Sequence, residues 1–167
     1  MVGCKSVNTE GHPTRKSELV DEISHKVFRQ LKLDQHLVPV ECGGRMMDQI
    51  KLLHWGFFYY KEINLNEARQ LLMTTAHQFL DAFNADERIR PYLAVYPLQP
   101  EHIEIRIFLH NPNGSLVEPN KLNVITYKSG VLRYMTSASE THPLEELLVE
   151  TYQEAEAKLN VPMQQAI

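Results

Sequence analysis

The chain carries few of the residues that mark a specialised class of protein. Its two cysteines, Cys4 and Cys42, cannot make a disulfide framework. A Cys4–Cys42 bridge would need an oxidising compartment. No apolar run reaches the roughly 18 to 20 residues that cross a bilayer. The longest apolar cluster, residues 52–60, is broken by His54 and Gly56. There is no basic excess either: a net charge of −4 argues against a nucleic-acid partner, whose phosphates need a basic footprint. Seven glycines and nine prolines lie mostly between candidate elements, without low complexity or internal repeat, so fibrous and solenoid architectures are excluded.

What is present fits one folded domain. The 167 residues are 43% hydrophobic and 23% charged, close to the globular norm. A chain of this size buries roughly 70% of its unfolded surface and is expected to need no metal or disulfide to hold a core. Charge is unevenly placed, with six glutamates between Glu140 and Glu156 and no lysine or arginine among them. An acidic docking face and a plain solvated helix face both fit that stretch.

Hydrophobic periodicity gives the order of elements. In 16–33, Leu19, Val20, Ile23, Val27 and Leu31 form one helical stripe, with Thr14 or Ser17 as N-cap. Residues 38–41 read as a short extended piece. The aromatic run 52–60 fits a strand buried on both faces, and Gly56 within it marks a bulge or a close backbone approach. Residues 45–54 read equally as helix or strand. In 65–83, Leu65, Ala68, Leu72, Ala76, Phe79 and Phe83 predict a second helix, capped by Asn64 with Glu67 three residues on.

From residue 92 the period changes to two. Residues 92–96 predict a short strand, and 102–110 a half-buried strand with Ile103, Ile105 and Ile107 inward and Glu104 and Arg106 outward. Residues 122–127 and 131–135 flank Lys128-Ser129-Gly130 as a hairpin. Residues 143–159 predict a last helix, with Pro143 in its first turn and Glu145 and Glu146 favouring the dipole. The expected fold is α+β, an antiparallel four- to five-stranded meander with helices packed on one face. The expected organisation is a flexible tether at 1–14, a domain at 15–160 and a frayed tail at 161–167.

Chemical motifs are sparse. His102 and His110 share a strand face but lie about 27 Å apart along it, too far to hold one ion. No histidine or cysteine falls in a zinc spacing, and the oxygen ligands Asp81, Asn84, Asp86 and Glu87 lack the calcium-loop pattern. The sequence has no nucleophile elbow and no glycine-rich phosphate loop. The expectation is therefore no metal, no cofactor and no motif-borne catalytic residue. An enzyme with Cys42 or His54 in a cleft assembled across the fold stays open as a reading. The densest candidate binding surface is 55–60. Alternation puts Trp55, Phe57 and Tyr59 on one face and Phe58 and Tyr60 on the other, and at least one face must be buried. Trp55, Phe57 and Tyr59 are the candidate ligand-binding residues, as core or as a hydrophobic or glycan-stacking groove.

Val2-Gly3-Cys4, followed by a polar segment to about Thr14, resembles the end of a bacterial lipoprotein signal peptide. The resemblance implies that Cys4 is the acylated first residue of the mature protein and that the polar segment tethers the domain to a membrane. On it rests the first functional expectation, a non-enzymatic, lipid-anchored module of the bacterial cell envelope that binds a protein or a small apolar ligand. Membrane contact would come only through Cys4. The second expectation is a cytoplasmic α+β interaction or chaperone-like protein.

Overall fold

The computed structural model describes residues 2–4 and 10–160. Its elements run α1 (Arg15–Gln35), β1 (Val38–Arg45), β2 (Leu52–Tyr59), α2 (Leu65–Ala85), β3 (Ile103–Leu109), β4 (Leu122–Lys128), β5 (Val131–Thr136), β6 (Glu145–Thr151) and α3 (Tyr152–Asn160). The fold is α+β, with one six-stranded sheet in the order β1-β2-β3-β4-β5-β6.

The expected antiparallel sheet is corrected in two respects. It has six strands, and β2 pairs parallel with β3. The parallel step follows from connectivity, because α2 carries the chain from one end of β2 back to the start of β3, and parallel neighbours need such a crossover. The other four pairings are antiparallel.

Both long helices form where their caps and stripes place them. Thr14 accepts from the Ser17 backbone N–H while Ser17 bonds back, and Asn64 and Glu67 make the same reciprocal arrangement. The buried side of α1 includes Leu19, Val20, Ile23, Val27 and Leu31, and that of α2 includes Ala68, Leu72, Ala76, Phe79 and Phe83. Lys16, itself buried, donates to the Met47 and Asp48 carbonyls and pins the start of α1 to the β1–β2 connection.

One segment left open is decided, and two differ from expectation. Residues 45–54 are the end of β1, a turn and the start of β2, with no helix. Residues 92–96 form no strand: Arg90–Tyr92 is a single 3-10 turn with Pro91 inside it, and Leu93 makes one isolated bridge to Ile50. Residues 143–159 are not one helix but β6 followed by α3. Pairing with β5 overrides the helical spacing of Leu144, Leu147 and Leu148. The true helix start is capped, since Thr151 Oγ1 accepts from the Glu154 N–H at 3.2 Å and Glu154 accepts from the Thr151 N–H at 2.7 Å.

The pleat divides the sheet into two unlike faces. Cys42, Trp55, Ile105, Tyr127, Leu132 and Glu150 are in register across all six strands, and this row lies against the helices. α2 crosses β3, β4 and β5, while α1 meets β1 and α3 meets β5 and β6. Residues one step along each strand face away from every helix.

A buried ionic cluster closes the β6 end. Glu150 accepts from Arg69 at 2.6 and 3.2 Å, from the Tyr134 hydroxyl at 2.7 Å and from Lys158 at 2.5 Å. One carboxylate thus joins α2, β5, β6 and α3. Burial pushes the Glu150 carboxyl up, but the bonds from Arg69, Lys158 and Tyr134 outweigh it and hold the group below its ordinary value.

Of the expected tether and tail, only residues 2–4 and 10–14 are described. Residues 5–9 and 161–167 lie outside the described residues, but Cys4 is buried, donates its N–H to Asp21 at 2.9 Å, and joins Cys42 in a disulfide with Cα atoms 4.9 Å apart.

Candidate functional site

Of the sequence-predicted site residues, Trp55, Phe57 and Tyr59 come together, but inside the core. Trp55 stacks on Phe79 at 3.7 Å, with ring planes 8° apart, and donates its indole N–H to Ser24 at 3.0 Å. Phe57 meets Phe28 and Phe79 edge-on and tilted. Trp55 and Phe57 are sealed from solvent, and burial followed by the Glu67 charge raises the Tyr59 phenol. These three side chains form no groove. The reason is parity: the helices occupy the side of β2 to which odd-numbered residues point.

Cys4, the expected lipid-attachment residue, sits elsewhere in the core, with its sulfur bonded to Cys42 and 3.7 Å from the Ser24 hydroxyl. A sulfur in a disulfide cannot at the same time carry an acyl chain. Cys42 is the partner in that bond rather than a free thiol, and His54 lies on the opposite face from it.

The surface left to bind something is the open face of the sheet, built from three registered rows. The first runs Gly43, His54, Glu104, Lys128, Val131 and Thr151. The second runs Glu41, Gly56, Arg106, Thr126, Arg133 and Val149. The third runs Val38, Phe58, Phe108, Val124, Met135 and Glu146.

Charges on this face are matched locally. Glu41 lies 3.8 Å from Arg106, Glu104 lies 3.8 Å from Lys128, and Glu146 lies 3.0 Å from Arg133. Three carboxylates against three cations leave the face without a dominant sign. Gly56 makes the first pairing possible. A Cβ there would stand 2.6 Å from Glu41 Oε2 and 2.8 Å from Glu41 Cβ, so only glycine lets Glu41 lean across β2 toward β3. β1 carries its register shift between Pro39 and Glu41, opposite this glycine. The groove formed by Glu41, His54, Glu104, Arg106, Thr126 and Lys128 encloses about 160 Å³.

The third row continues into an aromatic patch. Phe58 meets Phe108 at 5.8 Å, His110 at 4.8 Å and Tyr60 at 6.4 Å, while His110 lies 5.3 Å from Tyr60. His110 Nδ1 is buried with no hydrogen-bond partner among the described residues. Tyr60 is exposed, and the other three rings are half-buried. Sequence reasoning placed Phe58 and Tyr60 opposite Trp55, and Phe108 and His110 on the outward side of their own strand, but did not bring the two pairs together. The signal was the outward parity of Phe108 between Arg106 and His110 in β3.

Among the described residues, no group of three histidine, cysteine or carboxylate side chains could hold a metal ion, and no helix is long and apolar enough to cross a membrane. No protein-family model matches the chain, and neither a curated protein nor a solved structure matches it.

Proposed function

We propose that the protein is a non-enzymatic binding module of an oxidising compartment such as the bacterial cell envelope, and that the open sheet face engages a protein partner. One observation carries the reading: the helices cover one face of the sheet, and the other presents an aromatic patch beside a charge-balanced row. A continuous apolar patch with polar neighbours is the usual form of a docking surface. The small size of its groove favours a protein over a small apolar ligand. The groove's 160 Å³ is below the roughly 300 to 1,000 Å³ of small-molecule sites. The balanced charges leave shape and apolar contact to select the partner.

The compartment rests on the Cys4–Cys42 disulfide, since such bonds persist outside the reducing cytosol. Closing a loop across a sequence separation of 38 stabilises the fold by about 4 kcal/mol on loop entropy. Acylation of Cys4 requires this bond to be open, and a reducing cytosol disfavours it. Intact mass under non-reducing conditions separates the three cases. Disulfide formation lowers the mass by a pair of hydrogens, acylation raises it by a lipid, and the free thiols take up alkylating reagent.

The face itself is tested by placing a photo-crosslinking phenylalanine analogue at position 60 or 108, and separately at Glu18 on α1, in the native host. A discrete crosslinked protein from 60 and 108 but not from 18 is expected. Crosslinks only from 18, or none from the open face, would contradict the proposal.

A further inference from the structure

The two edges of the sheet are not equivalent. β1 is interrupted by Pro39 and a register shift, and the disulfide fixes it to the N-terminal segment. These are devices that protect an edge from pairing. β6 carries a register shift of its own, at Leu147 opposite Tyr134 and Met135, but it has no proline and no covalent tie, and among the described residues no strand lies on its outer side. It also shows apolar side chains to solvent, Leu147 being 51% exposed and Val149 44%, and Leu144 just before it is 46% exposed. Beside it, Leu147 shares a cavity of about 250 Å³ with Ile63, Leu65, Leu109 and Leu122, room for one large side chain, and the charged lining includes Lys61 and the Lys121–Glu62 pair.

Charge decides what this edge takes. Glu150 is neutralised inside, Glu146 is paired with Arg133, and Glu154 caps α3. Glu140, Glu145 and Glu156 have no cation at ion-pair distance among the described residues. A second copy pairing through its own β6 would bring like charges together, which disfavours it. We propose that β6 is a strand-addition edge for an extended segment of another protein, in which apolar residues alternate with lysine or arginine. Main-chain bonds to the free edge supply affinity, an apolar side chain enters the Leu147 cavity, and the basic residues meet Glu145 and its neighbours. The proposal is independent of the open-face reading, because its contacts are to the backbone edge and not to the aromatic patch.

The test uses full-length oxidised protein and a short labelled peptide alternating valine and lysine. Saturable binding is expected, with slowed amide exchange across residues 145–151. Methylating alternate peptide nitrogens and the variant Leu147→Lys should each weaken binding at least tenfold, and a valine–glutamate peptide should not bind. Leu147 is exposed, so the variant should keep the wild-type melting temperature, and Phe108→Glu should leave peptide affinity unchanged. Equal binding of the methylated peptide would show simple charge attraction and overturn strand addition. Sedimentation as a dimer that Leu147→Lys dissolves would overturn it in favour of a second copy.

Discussion

Neighbouring residues of β2 lead opposite lives. Trp55 and Phe57 are sealed against Phe79 and Phe28, whereas His54 and Phe58, one step away, belong to the open face. Composition does not distinguish them, since both sets are aromatic or amphipathic. What separates them is the side on which α1 and α2 pack. An aromatic run therefore marks a strand first, and only the pleat's parity says which of its rings can meet a partner.

The comparison breaks first at the sealed side. Phe57→Ala should cost about 3 to 5 kcal/mol in denaturant unfolding, and Phe58→Ala about 1 kcal/mol, because only the first leaves a closed cavity. Equal losses would mean that both faces are packed.

The Glu150 cluster sharpens the contrast between buried and exposed ion pairs. Glu150→Gln should cost about 3 kcal/mol at neutral pH, since it leaves the buried Arg69 guanidinium without its carboxylate. Because the folded-state value of Glu150 is lowered, its stabilisation is fully present above the ordinary carboxylate range. It is lost as pH falls through the lowered value. The gap between wild type and variant should therefore close on acidification, which a series of unfolding curves across acid pH would read. A gap independent of pH would assign the loss to packing alone.

Gly56→Ala should destabilise by about 1 to 3 kcal/mol, as its methyl group meets the Glu41 side chain. It should also move Glu41 away from Arg106, visible in the Arg106 side-chain resonances. The smallest effect is expected on the open face. Glu104→Ala should stay within about 0.5 kcal/mol, against roughly 2 to 5 kcal/mol for the adjacent Ile105→Ala.

Much of the scaffold was legible wherever local pattern and tertiary packing agree. Both long helices show their caps at Thr14 and Asn64, and β3 shows its alternation at Ile103, Ile105 and Ile107. The rest depends on contacts that local pattern does not contain. Residues 144–148 satisfy a helical spacing as well as a strand, and pairing to β5 decides between them, although Thr151 and Glu154 already spelled the capping box of the shorter helix. The parallel pairing of β2 with β3 is set by which strands become neighbours after α2. The open-face site was half-legible. Alternation separated Phe58 from Phe57, but choosing the exposed parity required knowing where the helices lie. Cys4 was read for its neighbours Val2 and Gly3, while the residue that meets its sulfur stands 38 positions away.

The two-faced sheet is tested most directly by hydroxyl-radical footprinting of the folded, oxidised protein with mass-spectrometric readout. Tyr60, Phe58, Phe108 and Met135 should be oxidised, as should the exposed references Met47 and Tyr96, while Trp55, Phe57, Tyr127 and Tyr134 stay protected until unfolding. Added extract of the host envelope should lower labelling at Tyr60 and Phe108 and leave Met47 and Tyr96 unchanged. Oxidation of Trp55 and Phe57 at rates matching Phe58 and Phe108, or extract protection that spares the open face, would contradict the account.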